Sequence, residues 1–112
     1  MRRVGRSRAE DRLLGLVGLG VRAGRVVTGV DATRALLQRG QARVIVLAAD
    51  ASERALGKVV RLASATGIPV LTGPVAEELG ARIGRPPVMV VGVRDRDLAK
   101  GMLAAVTTPD GP

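Results

Sequence analysis

Apolar residues recur along this chain in two rhythms, a helical spacing and unbroken β-branched runs, and glycines fall where one gives way to the other. The stretch from Thr28 to Asp50, TGVDATRALLQRGQARVIVLAAD, contains the whole scheme. Thr28 followed three residues later by Asp31 is a capping-box pattern, which predicts a helix from near Gly29 and Val30. Gly40 is the predicted stop, since glycine tolerates the left-handed conformation that closes many helices, and Arg39 before it suits the negative end of the dipole. Val44-Ile45-Val46-Leu47 is then too short for a helix and suits a strand covered on both faces.

The same punctuation organises the rest. Ser7 and Glu10 form another capping pair, opening a helix whose Leu13, Leu16, Val17 and Val21 share a face up to Gly24. Gly15, Gly18 and Gly20 each weaken it by roughly 1 kcal/mol relative to alanine, so close packing against a neighbour is the expected reason for them. They do not make a dinucleotide fingerprint, which needs a preceding strand and a different glycine order. Arg25-Val26-Val27 is predicted to be a short strand, made parallel to Val44–Leu47 by a right-handed crossover.

Asp50 and Glu53 repeat the capping arrangement for a helix with Leu56, Val59, Val60 and Ala63 as its buried stripe, ending at Gly67. Arg54, Lys58 and Arg61 line its opposite face, as a solvated surface would. Ile68-Pro69-Val70-Leu71 reads as an edge strand because of its proline. Thr72-Gly73-Pro74-Val75 turns into a helix through Leu79 and Ile83 that Gly84 ends, and Arg85-Pro86-Pro87 is a rigid connector. Val88 to Val93 is the best candidate for a central strand, and Asp95 or Asp97 caps a last helix with Leu98, Met102 and Val106 on one face. The order αβαβαβαβα with short connections predicts an α/β fold in which one sheet lies between helical layers. Residues 7–106 form one domain in this reading, between a mobile basic arm at 1–6 and a frayed tail at 107–112.

Composition narrows the chemistry. The formal charge is +8, from 18 basic and 10 acidic residues, which favours a polyanionic partner and nucleic acid first. Phe, Tyr and Trp are all absent, so no base can stack on an aromatic ring, which argues against RNA-recognition-motif sheets and most OB-fold sites. Without His or Cys, imidazole catalysis, zinc and disulfides are excluded, and no metal or other cofactor is expected. Ser7, Thr28 and Ser52 stand where helix caps want hydroxyls, and Glu77-Glu78 and Asp95/Asp97 stand where a dipole favours acids. No catalytic constellation is left over. Neither a signal peptide nor an apolar run of membrane-spanning length occurs, so a cytoplasmic location without membrane contact is expected.

Several segments together resemble a known family. They are Arg22-Ala23-Gly24-Arg25, Thr28-Gly29 opening a helix that ends at Arg39-Gly40, Gln41 through Asp50, Gly67-Ile68-Pro69, Glu78-Leu79-Gly80 followed by Ile83-Gly84, and Leu98-Ala99-Lys100. Over about Leu13 to Leu103 the chain resembles the ribosomal-protein superfamily of kink-turn RNA binders, of the L7Ae and L30e type, and its small bacterial members above all. The resemblance implies a three-layer α/β/α sandwich with a four-stranded mixed sheet. It also implies that the helix start at Gly29 enters a kinked RNA groove, and that the Thr72-Gly73-Pro74-Val75 loop covers an extruded base. Arg25, Thr28, Gly29, Val30, Asp31, Ala32, Arg34, Arg39, Thr72, Gly73, Pro74 and Val75 are the RNA-binding candidates on this basis.

The chain departs from the family's tight binders where it carries Asp31, Ala32 and Ala35 in place of Asn, Glu and Lys, and Ala49 in place of an acidic or amide residue. Aspartate accepts but cannot donate a hydrogen bond, and alanine does neither, so weak discrimination of the kinked RNA is implied. The expected function is non-catalytic binding of structured RNA, with ribosomal RNA and ribosome association among the candidates. The alternative is a protein–protein adaptor on the same fold that has lost specific RNA readout.

Overall fold

The computed structural model describes residues 8–107. The basic arm at 1–6, the Ser7 cap and residues 108–112 of the expected tail lie outside the described residues. Five helices and four strands alternate as α1 (Arg8–Arg22), β1 (Val26–Thr28), α2 (Val30–Gln38), β2 (Val44–Leu47), α3 (Glu53–Ala65), β3 (Val70–Thr72), α4 (Ala76–Arg82), β4 (Val90–Val93) and α5 (Arg96–Thr107). This is the predicted order. Thr107, assigned to the tail from sequence, closes α5.

The sheet runs β1-β4-β2-β3. β4 is antiparallel to both β1 and β2, while β2 and β3 are parallel, so the sheet is mixed. β1 and β2 point the same way, as the crossover rule requires, but β4 lies between them. Every residue of β2 and β4 is buried, which is why both read as unbroken apolar runs. Alternation divides β2 between two cores: Val44 and Val46 pack with Leu13, Val17, Leu79 and Met102, whereas Ile45 and Leu47 pack with Leu36, Leu37, Val59 and Ala63. Helices α1, α4 and α5 therefore cover one face, and α2 and α3 the other. Burying each such Leu or Val contributes roughly 1.5–3 kcal/mol, which an aromatic-free core accumulates through many small contacts.

The glycine stops are in place. Gly40 N–H donates to Leu37 O and Gln41 N–H to Leu36 O, the paired bonds of a Schellman ending, with Gly40 at φ 70°. Of the α1 glycines, Gly20 alone is explained by close packing: a Cβ there would lie 2.6 Å from Val26 Cγ1, whereas Gly15 and Gly18 have ordinary room. A tighter approach occurs at Gly80 of α4, where a Cβ would lie 2.1 Å from the Pro86 carbonyl oxygen.

Several local readings are corrected. Thr28 does not cap α2, because pairing with Val91 holds it in β1; Gly29 is the cap residue, with φ 97° and ψ 161°, and provides no side chain. Asp50 does not cap α3 either. Ser52 does, accepting from Ala55 N–H at 3.2 Å, while Asp50 Oδ1 accepts from Ala76 N–H at 2.7 Å and so caps α4 across the fold. Leu56 is 38% exposed, since α3 turns Ala55, Val59 and Ala63 inward, one turn apart in a phase shifted by one residue. Arg25 precedes β1, and Val88 and Met89 precede β4. Asp95 is the α5 cap, accepting from Leu98 N–H at 2.9 Å.

Candidate nucleic-acid interface

The sheet has two ends, and the chain treats them differently. At one end, here the upper, β1, β2 and β3 finish and α2, α3 and α4 begin; β4 enters there. Gly29 makes the turn from β1 into α2. Its φ and ψ fall in a region open to glycine and hardly to other residues, so the strand can feed the helix with no intervening loop. Gly29 N–H donates to Val90 O at 2.9 Å, and the first helical bond runs from Thr33 N–H to Gly29 O. The amides of Val30, Asp31 and Ala32 are thus the open donors of α2, with no side-chain cap from Gly29. Helices α3, α4 and α5 begin differently, with Ser52, Asp50 and Asp95 accepting from their first turns.

Against this turn lies a cleft of about 370 Å³ lined by Thr28, Gly29 and Val30 on one side and Arg85, Pro86, Pro87, Val88 and Met89 on the other. Arg85 Nη1 donates to Thr28 Oγ1 at 3.4 Å, holding an exposed guanidinium over the mouth. The connector is fixed from below. Arg85 N–H donates to Gly80 O, Val88 N–H donates to Ala76 O, and the missing side chain at Gly80 admits Pro86. Two prolines remove two backbone donors and much of the freedom of this segment.

The structure brings together only part of the predicted site. Thr28, Gly29 and Val30 line the cleft, with Asp31 and Ala32 following in the first turn of α2, and the loop beside them is Arg85–Met89 rather than Thr72-Gly73-Pro74-Val75. The latter segment is at the same end of the sheet but on the far edge, where Gly73 N–H donates to Leu47 O and Ala49 N–H donates to Pro74 O. Three strand spacings, about 14 Å, separate it from Gly29. Gly73 and Pro74 are buried, leaving Thr72 and Val75 exposed. Arg34 turns to the α2–α3 groove instead, a depression of about 440 Å³ that it lines with Gln38, Lys58 and Arg61. Arg25 and Arg39 stand at the lower end, about 14 Å away along α2. Arg85 was absent from the sequence-derived site, and its nearness to Thr28 depends on β4 pairing with β1, which no local pattern encodes.

Acids crowd the upper end. Asp31, Glu53, Glu77 and Glu78 occupy first turns there, and exposed Asp31 sits beside the open amides. Among the described residues there is no cluster of groups that could hold a metal ion, and no helix is long and apolar enough to cross a membrane.

Residues 11–102 match the ribosomal protein L7Ae/L30e/S12e/Gadd45 family, and the chain belongs to it. It is 33% identical over 90 residues to the RNA-binding protein YlxQ of Enterococcus faecium, covering 80% of this chain and 86% of that one. Among solved structures it is similar to a protein of unknown function from Bacillus halodurans, with a TM-score of 0.81 and 28% identity over 87% of this chain and 98% of the other. It also shares its fold with the Giardia lamblia 15.5kD RNA binding protein, with a TM-score of 0.73 and 21% identity over 92% and 88% of the two chains.

Proposed function

We propose that this protein is a non-catalytic RNA-binding protein that engages structured RNA at the cleft between the start of α2 and the Arg85–Met89 loop. The observation that carries the reading is the uncapped α2 start facing Arg85: open amides and a guanidinium converge where a phosphate would gain both. Family membership and the name of the Enterococcus relative support it. The lack of His, Cys and any nucleophile–base pair supports the absence of catalysis.

Backbone amides position a phosphate whatever the neighbouring side chains are, so affinity survives the changes at Asp31, Ala32 and Ala35. Base discrimination does not, because those side chains cannot read guanine edges as the family's Asn and Glu would. The reading is therefore of a weakly selective member that accepts kinked RNA among other folded forms, with ribosomal RNA a natural target for its charge.

The test is binding to a kinked RNA and to a straight duplex of equal length at one salt concentration. Native protein should show little preference, and Asp31→Asn with Ala32→Glu and Ala35→Lys should create one, each regained base contact contributing about 1–3 kcal/mol. Arg85→Gln should weaken both RNAs. If Arg85→Gln leaves both affinities unchanged and the triple variant gains no preference, the cleft is not the RNA site and an adaptor role on this fold becomes the better account.

A further inference from the structure

The lower end of the sheet carries a row of arginines that folding does not explain. Extending the register of β1 and β4 by one residue places Arg25 opposite Arg94, and Arg94 N–H donates to Arg25 O at 3.1 Å. On the other flank, Arg43 N–H donates to Val93 O at 2.7 Å, which sets Arg43 beside Arg94. Three exposed guanidinium-bearing residues thus stand side by side at the ends of three adjacent strands, with backbones roughly 5 Å apart. Arg39 ends α2 at the same level, and Arg22 ends α1 nearby, where Arg25 N–H donates to Gly20 O.

Helix dipoles account for Arg22 and Arg39, which stand at helix C-termini. They do not account for Arg25, Arg43 and Arg94, which extend strands. Arg96 opposes the dipole outright, since it opens α5. Like charges directly opposite on neighbouring strands destabilise a sheet. Neutralisation within the chain is slight: Arg25 Nε lies 3.8 Å from Asp95 Oδ2, and among the described residues Arg39, Arg43 and Arg94 have no carboxylate within ion-pairing distance.

We propose that this arginine row is a second RNA-binding surface that holds a phosphodiester backbone independently of the cleft at α2. Planar, permanently charged, weakly hydrated groups at near-phosphate spacing suit a polynucleotide track better than a single anion. The row lies at the opposite end of α2 from the cleft, so one protein molecule can hold two stretches of RNA at once. The inference goes beyond the proposed function and does not require the cleft to be correct.

The experiment compares native protein with Arg39→Gln/Arg43→Gln/Arg94→Gln, the corresponding triple lysine variant and Arg85→Gln. Each is titrated with a straight RNA duplex across a salt series, and the complex with excess RNA is weighed by native mass spectrometry. The glutamine variant should lower the slope of log K against log salt by about 2–3 and cut affinity roughly 100-fold at low salt. It should also bind one duplex fewer than native protein does, with a melting temperature no lower than the native one, since the like charges it removes oppose each other across the strands. The lysine variant should keep the slope, because phosphate neutralisation needs charge and not the guanidinium fork. If the glutamine variant keeps the native slope and stoichiometry, or the lysine variant fails as it does, the row holds no RNA; an acidic protein partner would give the first of these results. Loss with the glutamine variant but not with Arg85→Gln leaves this inference standing and removes the cleft, and the reverse pattern removes the row.

Discussion

At the upper end of the sheet the charges obey the fold: Asp31, Glu53, Glu77 and Glu78 stand in first turns where helix dipoles favour acids, and Asp50 caps α4. At the lower end Arg25, Arg43, Arg94 and Arg96 stand where packing and dipoles offer them nothing. The end with the shaped cleft is therefore the acidic one, and the unexplained positive charge stands at the other end. A net charge of +8 locates no binding surface by itself. The charges left after structural roles are subtracted do so.

Substitutions that act on one end alone sharpen this contrast. The largest effect is expected of Gly80→Ala, whose new methyl would meet backbone at Pro86 and cannot be accommodated by a rotamer change. It should cost about 3 kcal/mol in urea unfolding and push the Arg85 loop off Thr28, weakening RNA binding at the cleft while the arginine row keeps its salt slope. Next is Gly20→Ala at the lower end, where the clash is with the Val26 side chain and can partly relax; about 1–3 kcal/mol should be lost by the same measurement.

Asp50→Ala removes the acceptor for Ala76 N–H and should cost about 1 kcal/mol, and it leaves one more open amide at the upper end. Thr33→Val belongs to neither end. Thr33 is fully buried beneath Gly92, and among the described residues its hydroxyl has no partner, so the nearly isosteric change should raise stability by about 1 kcal/mol in thermal unfolding and leave RNA binding alone.

What sequence reasoning could reach follows the range of the interactions. Elements set by neighbours a few residues apart were legible, as in the Val44–Leu47 run, the Gly40 stop and an acidic α5 cap at Asp95 or Asp97, which proves to be Asp95. Asp50 was misplaced because its partner, Ala76, is 26 residues away and a nearer helix offered the same pattern. Thr28 misled for a related reason, since strand pairing outweighed the capping preference of its hydroxyl. The site suffered more than the fold. Arg25 and Arg39 flank Gly29 in sequence but are carried to the other end of the sheet by one strand and one helix, and Arg85 arrives from the opposite direction.

The place of β4 between β1 and β2 also orders events during synthesis. Strands β2 and β3, joined by α3, can pair once residue 72 has emerged, but among the described residues β1 pairs with β4 alone and so has no strand partner until residue 93. Until then β1 can rest only on α1 and α2, and the four-stranded sheet is complete when β4 takes its place against β1 and β2 together. That step brings Arg94 between Arg25 and Arg43 and Arg85 up to Thr28, so both surfaces come into being at once and a chain stopped short of β4 has neither.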